Sequence, residues 1–262
     1  MPFTQFIWDD FIGLLGSGDI TSSTPVTGFP AVNVKDRREY TQFSPDVAGS
    51  SSAWIRFDLG SAKNIKALAI AGHNLGSSGA TNVILSADNV GGAGHPLTNT
   101  IVPAFSPTND RAIVKTVDDT YRYWELGFTT GPSIDALLGV IFLTSDYLEF
   151  PNPPNSPIDP DAVESTYSAQ VGERGHLLGI IQKFKQRVFG MTFAALEQSW
   201  VENYWWPFFN ANGHSPFFIV WDPNYKPDEV SYVRIASNAI TSPYGGVWRS
   251  LTLQFTGLFD AQ

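Results

Sequence analysis

The chain has 262 residues, a formal net charge of -9 and no cysteine, with 16% charged and 14% aromatic residues. Neither half is basic, which argues against nucleic-acid binding through phosphate neutralisation and against attraction to anionic membranes. Without cysteine there is no disulfide and no thiolate metal site, and the longest apolar run, near Ala136 to Phe142, is far too short to cross a bilayer.

The N-terminus, "MPFTQFIWDD", lacks a basic leader and turns acidic at Asp9 and Asp10, so it does not read as a signal peptide. "AWIRFDLG" (53–60) alternates like a half-buried strand and is expected to stop at Gly60. "NIKALAIAGHNLG" reads as a second strand, apolar on both faces and therefore buried between layers. "TNVILSAD", "YRYWELGFT" and "ALLGVIFLT" follow at turn-punctuated intervals, the pattern of a β-sandwich. Trp54 and Trp124 fall in these strands and are expected in the core.

"EFPNPPNSPIDPDA" (149–162) is too rich in proline for a helix or a central strand. It divides the chain into a β domain over 1–148, a linker over 149–164 and a second domain over 165–262. "GIIQKFKQRVFGMTFAAL" (179–196) reads as one long strand. The period then changes. Trp200, Val201, Tyr204, Trp205, Phe208 and Phe209 recur as one apolar helical face opposite Gln198, Glu202 and Asn203. Pro207 is expected to kink or end that helix. "PFFIVWD", "VSYVRIA" and "VWRSLTLQFTGL" close the chain as strands, giving one helix packed on an antiparallel sheet. Trp200, Tyr204, Trp205 and Phe208 are the predicted core anchors of the helix. Trp206 and Phe209 lie further round and are predicted to meet a neighbouring subunit, where aromatic rings are enriched.

No catalytic constellation stands out. The four histidines have no metal-binding spacing. His73 in "AGHNLG" reads as a satisfied turn histidine, and Asp159, Asp161 and Glu164 read as a solvated linker rather than a calcium site. The expectation is a protein without catalytic residues, cofactor or metal.

Two resemblances add to this reading. "ITSSTPVTGFPAVNVKD", "WIRFDLGSAKNIKALAIAGHNLG" and "ILSADN" resemble the discoidin-like, galactose-binding-like jelly roll over residues 20–145. "RVFGMTFAALEQSWVENYWWPFFNANGHSPFFIVWDP" resembles the tube-like domain of siphophage distal tail and minor tail proteins, with Phe193, Leu196, Trp205, Phe208, Phe209, Gly213 and Phe217 matching its pattern over residues 165–260. In many distal tail proteins the ring domain comes first, so the order here is reversed.

The fold class expected is mainly β: an N-terminal jelly-roll sandwich and a C-terminal antiparallel sandwich with one packed helix. The resemblance implies a structural virion protein of a long non-contractile tail. It would form a homo-oligomeric ring, taken as a hexamer, and would link the tail tube protein to the tail-tip hub protein, with the tape measure protein as a further partner. Its place would be the virion tail tip, after assembly in the bacterial host cytoplasm, with neither nucleic acid nor membrane as a partner. The alternative is a carbohydrate-binding or adhesion module recognising a bacterial surface glycan.

Overall fold

The structure is a computed structural model that describes residues 3–47, 51–91, 94–131, 135–155, 159, 162–171, 173, 176–213, 215–236 and 240–258. In chain order the strands are β1 (Gln5–Ile7), β2 (Ile20–Ser22), β3 (Ser52–Ala71), β4 (Thr81–Asp88), β5 (Asn99–Phe105), β6 (Ile113–Thr129), β7 (Val140–Thr144), β8 (Tyr147–Glu149), β9 (Val163–Val171), β10 (Leu177–Glu197), β11 (Phe217–Val220), β12 (Val230–Ile235), β13 (Ile240–Gly245) and β14 (Trp248–Leu258). A helical segment, α1 (Gln198–Trp200), a π turn (Val201–Trp205) and α2 (Trp206–Asn212), joins β10 to β11. Among the described residues the protein is mainly β, built from two antiparallel sheets, this helical segment and a few short 3-10 turns.

The chain divides into two compact units. One is Ile7–Tyr147; the other runs from Leu148 onward and includes the N-terminal segment through Phe6. In the first unit the sheet order is β2-β3-β6-β4-β5, with β7 pairing β3. Ala53, Ile55, Phe57 and Leu59 point inward, and Trp54, Arg56 and Asp58 outward, as a period of two requires. The strand does not stop at Gly60. Gly60 takes a left-handed φ of 74°, and the β3–β6 register jumps between Asp58 and Lys63, so the glycine makes a bulge that bends one 20-residue strand. Beyond the bulge Ala67, Leu68, Ala69 and Ile70 are buried on both faces, in a stretch flanked within the sheet by both β6 and β7.

In the second unit the order is β8-β1-β11-β12-β14-β10-β9, with β13 on β14. Here the expected domain limits differ from the structure. Residues 5 and 6 belong to the sheet of the C-terminal unit rather than to the unit that follows them. The proline-rich segment is stitched to β10 where it is described: Phe150 is fully buried, the Asn155 amide donates to the Thr192 carbonyl at 2.7 Å, and the Val188 amide donates to the Ala162 carbonyl at 3.1 Å. Proline there blocks helix and central strand, but leaves the carbonyls and asparagines free to bond a neighbour. Residues 156–158 and 160–161 of the segment lie outside those described.

The helix also departs from its expected form. Pro207 neither ends nor sharply interrupts it, and helical structure continues to Asn212. The preceding turn is widened, with the Trp206 amide donating to the Val201 carbonyl five residues back. A proline ring otherwise collides with the carbonyl four residues before it, and the wider turn accommodates the ring. The stripe that faces inward is Val201, Trp205, Phe208 and Asn212. Trp205 sits 5.4 Å from Phe208 and 6.3 Å from Phe150, and Phe208 packs edge-on to Phe217 at 5.3 Å. Tyr204, expected as a core anchor, is 58% exposed, and Trp200 is only half-buried against Phe150. One helix on one sheet covers a single narrow stripe, and these two rings flank it.

Trp205→Ala and Phe208→Ala are each expected to cost the C-terminal unit about 3–5 kcal/mol. Tyr204→Ala is expected to cost less than about 1 kcal/mol. Denaturant unfolding of each variant, followed through the C-terminal transition, checks the contrast.

Candidate binding surfaces

Three places in the molecule gather side chains with chemistry. The first is a loop cluster in the N-terminal unit. His73 is buried; its Nδ1 accepts the Leu75 amide at 3.2 Å and its Nε2 lies 2.8 Å from the Arg111 carbonyl. Only the neutral ring protonated at Nε2 satisfies both partners. Burial accordingly pushes its pKa down to about 4, against the Arg111 carbonyl and the Asp110 charge. Next to it Asn74 clamps the 135–137 loop, donating from Nδ2 to the Asp135 carbonyl at 2.9 Å and accepting the Leu137 amide at 2.6 Å. Gln42 Nε2 donates to the Gly72 carbonyl at 3.0 Å, and the Ser77 amide donates to Asp110 at 2.9 Å. "GHNLG" is therefore a lock that holds four loops together. On one of those loops Tyr40 stands 73% exposed.

The second place is the outer face of the same sheet. Glu125 is fully buried and takes Arg56 Nε and Nη2 on one oxygen, at 2.9 and 2.6 Å, and His95 Nδ1 on the other at 2.5 Å. Trp54 stacks on His95 at 6.1 Å and lies under the Arg56 guanidinium at 5.2 Å. Trp54 is thus on the outer face, half-buried, while Trp124 alone of the pair is in the core, its indole N–H held by the Tyr121 carbonyl at 3.0 Å. Through His95 and Arg56, this buried carboxylate pins the β4–β5 connection to the sheet.

The third place is in the C-terminal unit. The β9–β10 hairpin carries Val163, Tyr167, Ile180, Ile181 and Phe184, each between 42% and 62% exposed. Its ladder sets Tyr167 opposite Gln182 and Ile181 opposite Ser168, so apolar side chains project from both faces of the ribbon. Trp206 and Phe209, the predicted interface pair, are half-buried; Phe209 stacks on Trp205 at 5.7 Å and meets Trp206 edge-on at 5.9 Å. Composition pointed to surplus aromatic surface near the helix, but the hairpin, whose residues are spread through a polar sequence, carries the larger share of exposed apolar side chains.

Among the described residues no group of His, Asp and Glu could hold a metal ion, and no helix is long and apolar enough to cross a membrane.

No protein-family model matches the chain, and no curated protein matches it. Among solved structures, chitosan-binding module 1 of a chitosanase/glucanase from Paenibacillus sp. IK-5 aligns at 19% identity and a TM-score of 0.40, covering 48% of this chain and 92% of the module. CpGH89CBM32-6 from Clostridium perfringens aligns at 18% identity and 0.36, covering 48% and 90%. Reduced XRCC1, solved bound to the DNA polymerase beta catalytic domain, aligns at 14% and 0.39, covering 48% and 93%. At these scores the likeness carries no functional argument, and the fold stands on its own strand pairing.

Two buried groups set opposing pH dependences in the N-terminal unit. Burial pushes the Asp10 carboxyl up to about 7, against Arg37 and the amides of Ile12, Gly13 and Leu143. Between an unfolded pKa of 3.8 and about 7 the folded state holds a proton on Asp10 that the unfolded state has lost, so this contribution weakens as pH rises. For His73 the unfolded chain binds the proton between about 4 and 6.5, so its contribution is full above 6.5 and is lost as pH falls. The two slopes oppose one another over that shared window. Asp10→Asn removes one of them. Relative to the parent, its urea midpoint for this unit should fall more steeply from pH 6.5 to 4, by up to about 3 kcal/mol in stability.

Proposed function

We propose that this protein is a non-catalytic assembly subunit, a distal-tail-type ring component of a long non-contractile phage tail, placed in the virion between tail tube and tip hub. The observation that carries the assembly reading is the hairpin of β9 and β10. A two-stranded ribbon with apolar side chains exposed on both faces is marginal in water. Burying those side chains against a second copy removes that cost, and the edge strand β9 offers unpaired backbone groups for a neighbour. The resemblance of residues 165–260 to tail-tube-like domains supports the tail assignment and the ring of six. Trp206 and Phe209 are taken as a second part of that interface.

The test is the solution mass across a concentration series. The parent chain is expected to form a closed oligomer. The double variant Ile181→Glu, Phe184→Glu is expected to remain folded and sediment as a monomer. A parent that stays monomeric at every concentration, and is absent from purified virions, would defeat the reading.

A second reading, carbohydrate binding by the N-terminal unit, is favoured by Tyr40. An exposed ring on a loop held by fixed hydrogen bonds is the arrangement on which a sugar face stacks. This reading rests on Tyr40 and its loops rather than on the fold neighbours. A glycan array is expected to show selective binding that Tyr40→Ala abolishes without changing unfolding. Unchanged or absent binding removes this reading and leaves the assembly proposal untouched.

A further inference from the structure

The cleft at the end of β10 lies away from the hairpin, and neither reading above uses it. β10 does not run straight into the helix. Its register with β14 shifts between Phe193 and Leu196, and Ala195 adopts a left-handed φ of 52°, unusual for a residue other than glycine. Asn152 fastens this bulge from outside, donating from Nδ2 to the Ala195 carbonyl at 2.9 Å and the Ala194 carbonyl at 3.3 Å. Past the bulge Glu197 pairs across the ladder with Trp248, and the helix then brings Trp200 round to the same opening. The result is a cleft of about 480 Å³, lined by Pro151, Asn152, Ala195, Glu197, Trp200 and Trp248. That volume suits a small organic ligand.

The lining has a definite chemistry. Trp200 is fixed in orientation, stacked on Tyr204 at 6.2 Å and backed by Phe150 at 5.1 Å. Trp248 is 40% exposed and open to a ligand. Among the described residues Glu197 is the one charged residue in the lining, with one carboxylate oxygen 3.2 Å from Ser199 Oγ. The neighbouring base, Arg249, is turned to Gln198 Oε1 at 2.6 Å and to the carbonyls of Trp248 and Gly246 at 3.1 and 3.3 Å. Indole faces attract cations through their quadrupole, and a carboxylate adds a full opposite charge. A neutral guest of the same shape gains only the apolar contact.

We propose that this cleft binds an organic ammonium group, seated on Trp248 and Trp200 and neutralised by Glu197. The group could come from a free quaternary ammonium compound or from a lysine side chain of a protein partner; the chemistry of the cleft is common to both. The site depends on neither ring assembly nor sugar binding.

The experiment is a titration of the full-length protein, read from its indole N–H resonances. The probes are choline, its uncharged isostere 3,3-dimethylbutanol, glucose and Nα-acetyl-lysine amide. Choline is expected to shift the Trp200 and Trp248 signals saturably and to bind about tenfold tighter than the isostere. Glu197→Gln should weaken choline about tenfold, and Trp248→Leu should abolish the shift while the other indole signals stay in place. Tighter binding of the lysine amide than of choline assigns the cleft to a protein side chain; the reverse assigns it to a free quaternary ligand. The proposal is overturned if choline and the lysine amide produce no saturable shift, if the isostere or glucose binds as tightly, or if Glu197→Gln leaves affinity unchanged. Because Glu197→Gln keeps the side-chain shape, the test survives a Trp248→Leu variant that fails to fold.

Discussion

Phe150 and Phe193 lie ring on ring, 3.8 Å apart, and the architecture of the C-terminal unit is organised around that contact. Phe6 comes from the start of the chain and Phe150 from the far side of the N-terminal unit in sequence; the two meet edge-on at 4.9 Å. Phe208, Phe217 and Phe255 close on Phe6 at 5.1 to 5.8 Å, and Trp205 reaches Phe150 from the helix. All seven rings are buried. Each aromatic ring removes 150–250 Å² from water, and offset or edge-on pairs add to that. Sequestering these rings draws the N-terminal segment, the proline-rich stretch, the helix and three strands into one unit.

The N-terminal unit is held differently. Its inward alternation of Ile55, Phe57, Trp124, Leu126 and Phe128 is ordinary sandwich packing. Its individuality comes from polar locks: neutral His73 between an amide and a carbonyl, Asn74 gripping a distant loop, and Glu125 holding Arg56 and His95. Such groups are costly when buried unpaired, and paired they fix loops in one arrangement. Their partners are used up in that fixing, so residues that look chemically promising in the sequence form scaffold here. Tyr40, with no such lock on its ring, is left at the surface.

Much of this was legible in the residues. Strand β4 was read to the residue, the long alternation over 179–196 marked β10, and the change of period after it marked the helix. The failures have physical causes. Gly60 was taken as a stop because a glycine with a left-handed φ ends a strand or bends it, and only the β6 partner decides which. Tyr204 matched the helical stripe but fell outside the width that one sheet can cover. Pro207 was taken as a breaker because a widened turn before it leaves no mark in composition. The strands β1, β2, β5, β8, β9 and β13 went unread. β5 carries Pro103 within its run and β9 is polar enough to pass for loop, whereas β1, β2 and β8 are only three residues long and β1 is placed by β8 and β11, partners distant in sequence. The cleft was illegible for the same reason, since Asn152, Glu197, Trp200 and Trp248 converge only through a bulge and a ladder register.

The central claim is that the β9–β10 ribbon is an unfinished surface completed by another copy of the chain. Amide hydrogen exchange over residues 163–187, followed as protein concentration rises, measures this directly. Docking of ribbons predicts that exchange slows with concentration in these strands while the N-terminal unit is unchanged. Exchange in the ribbon that stays fast and independent of concentration would contradict it.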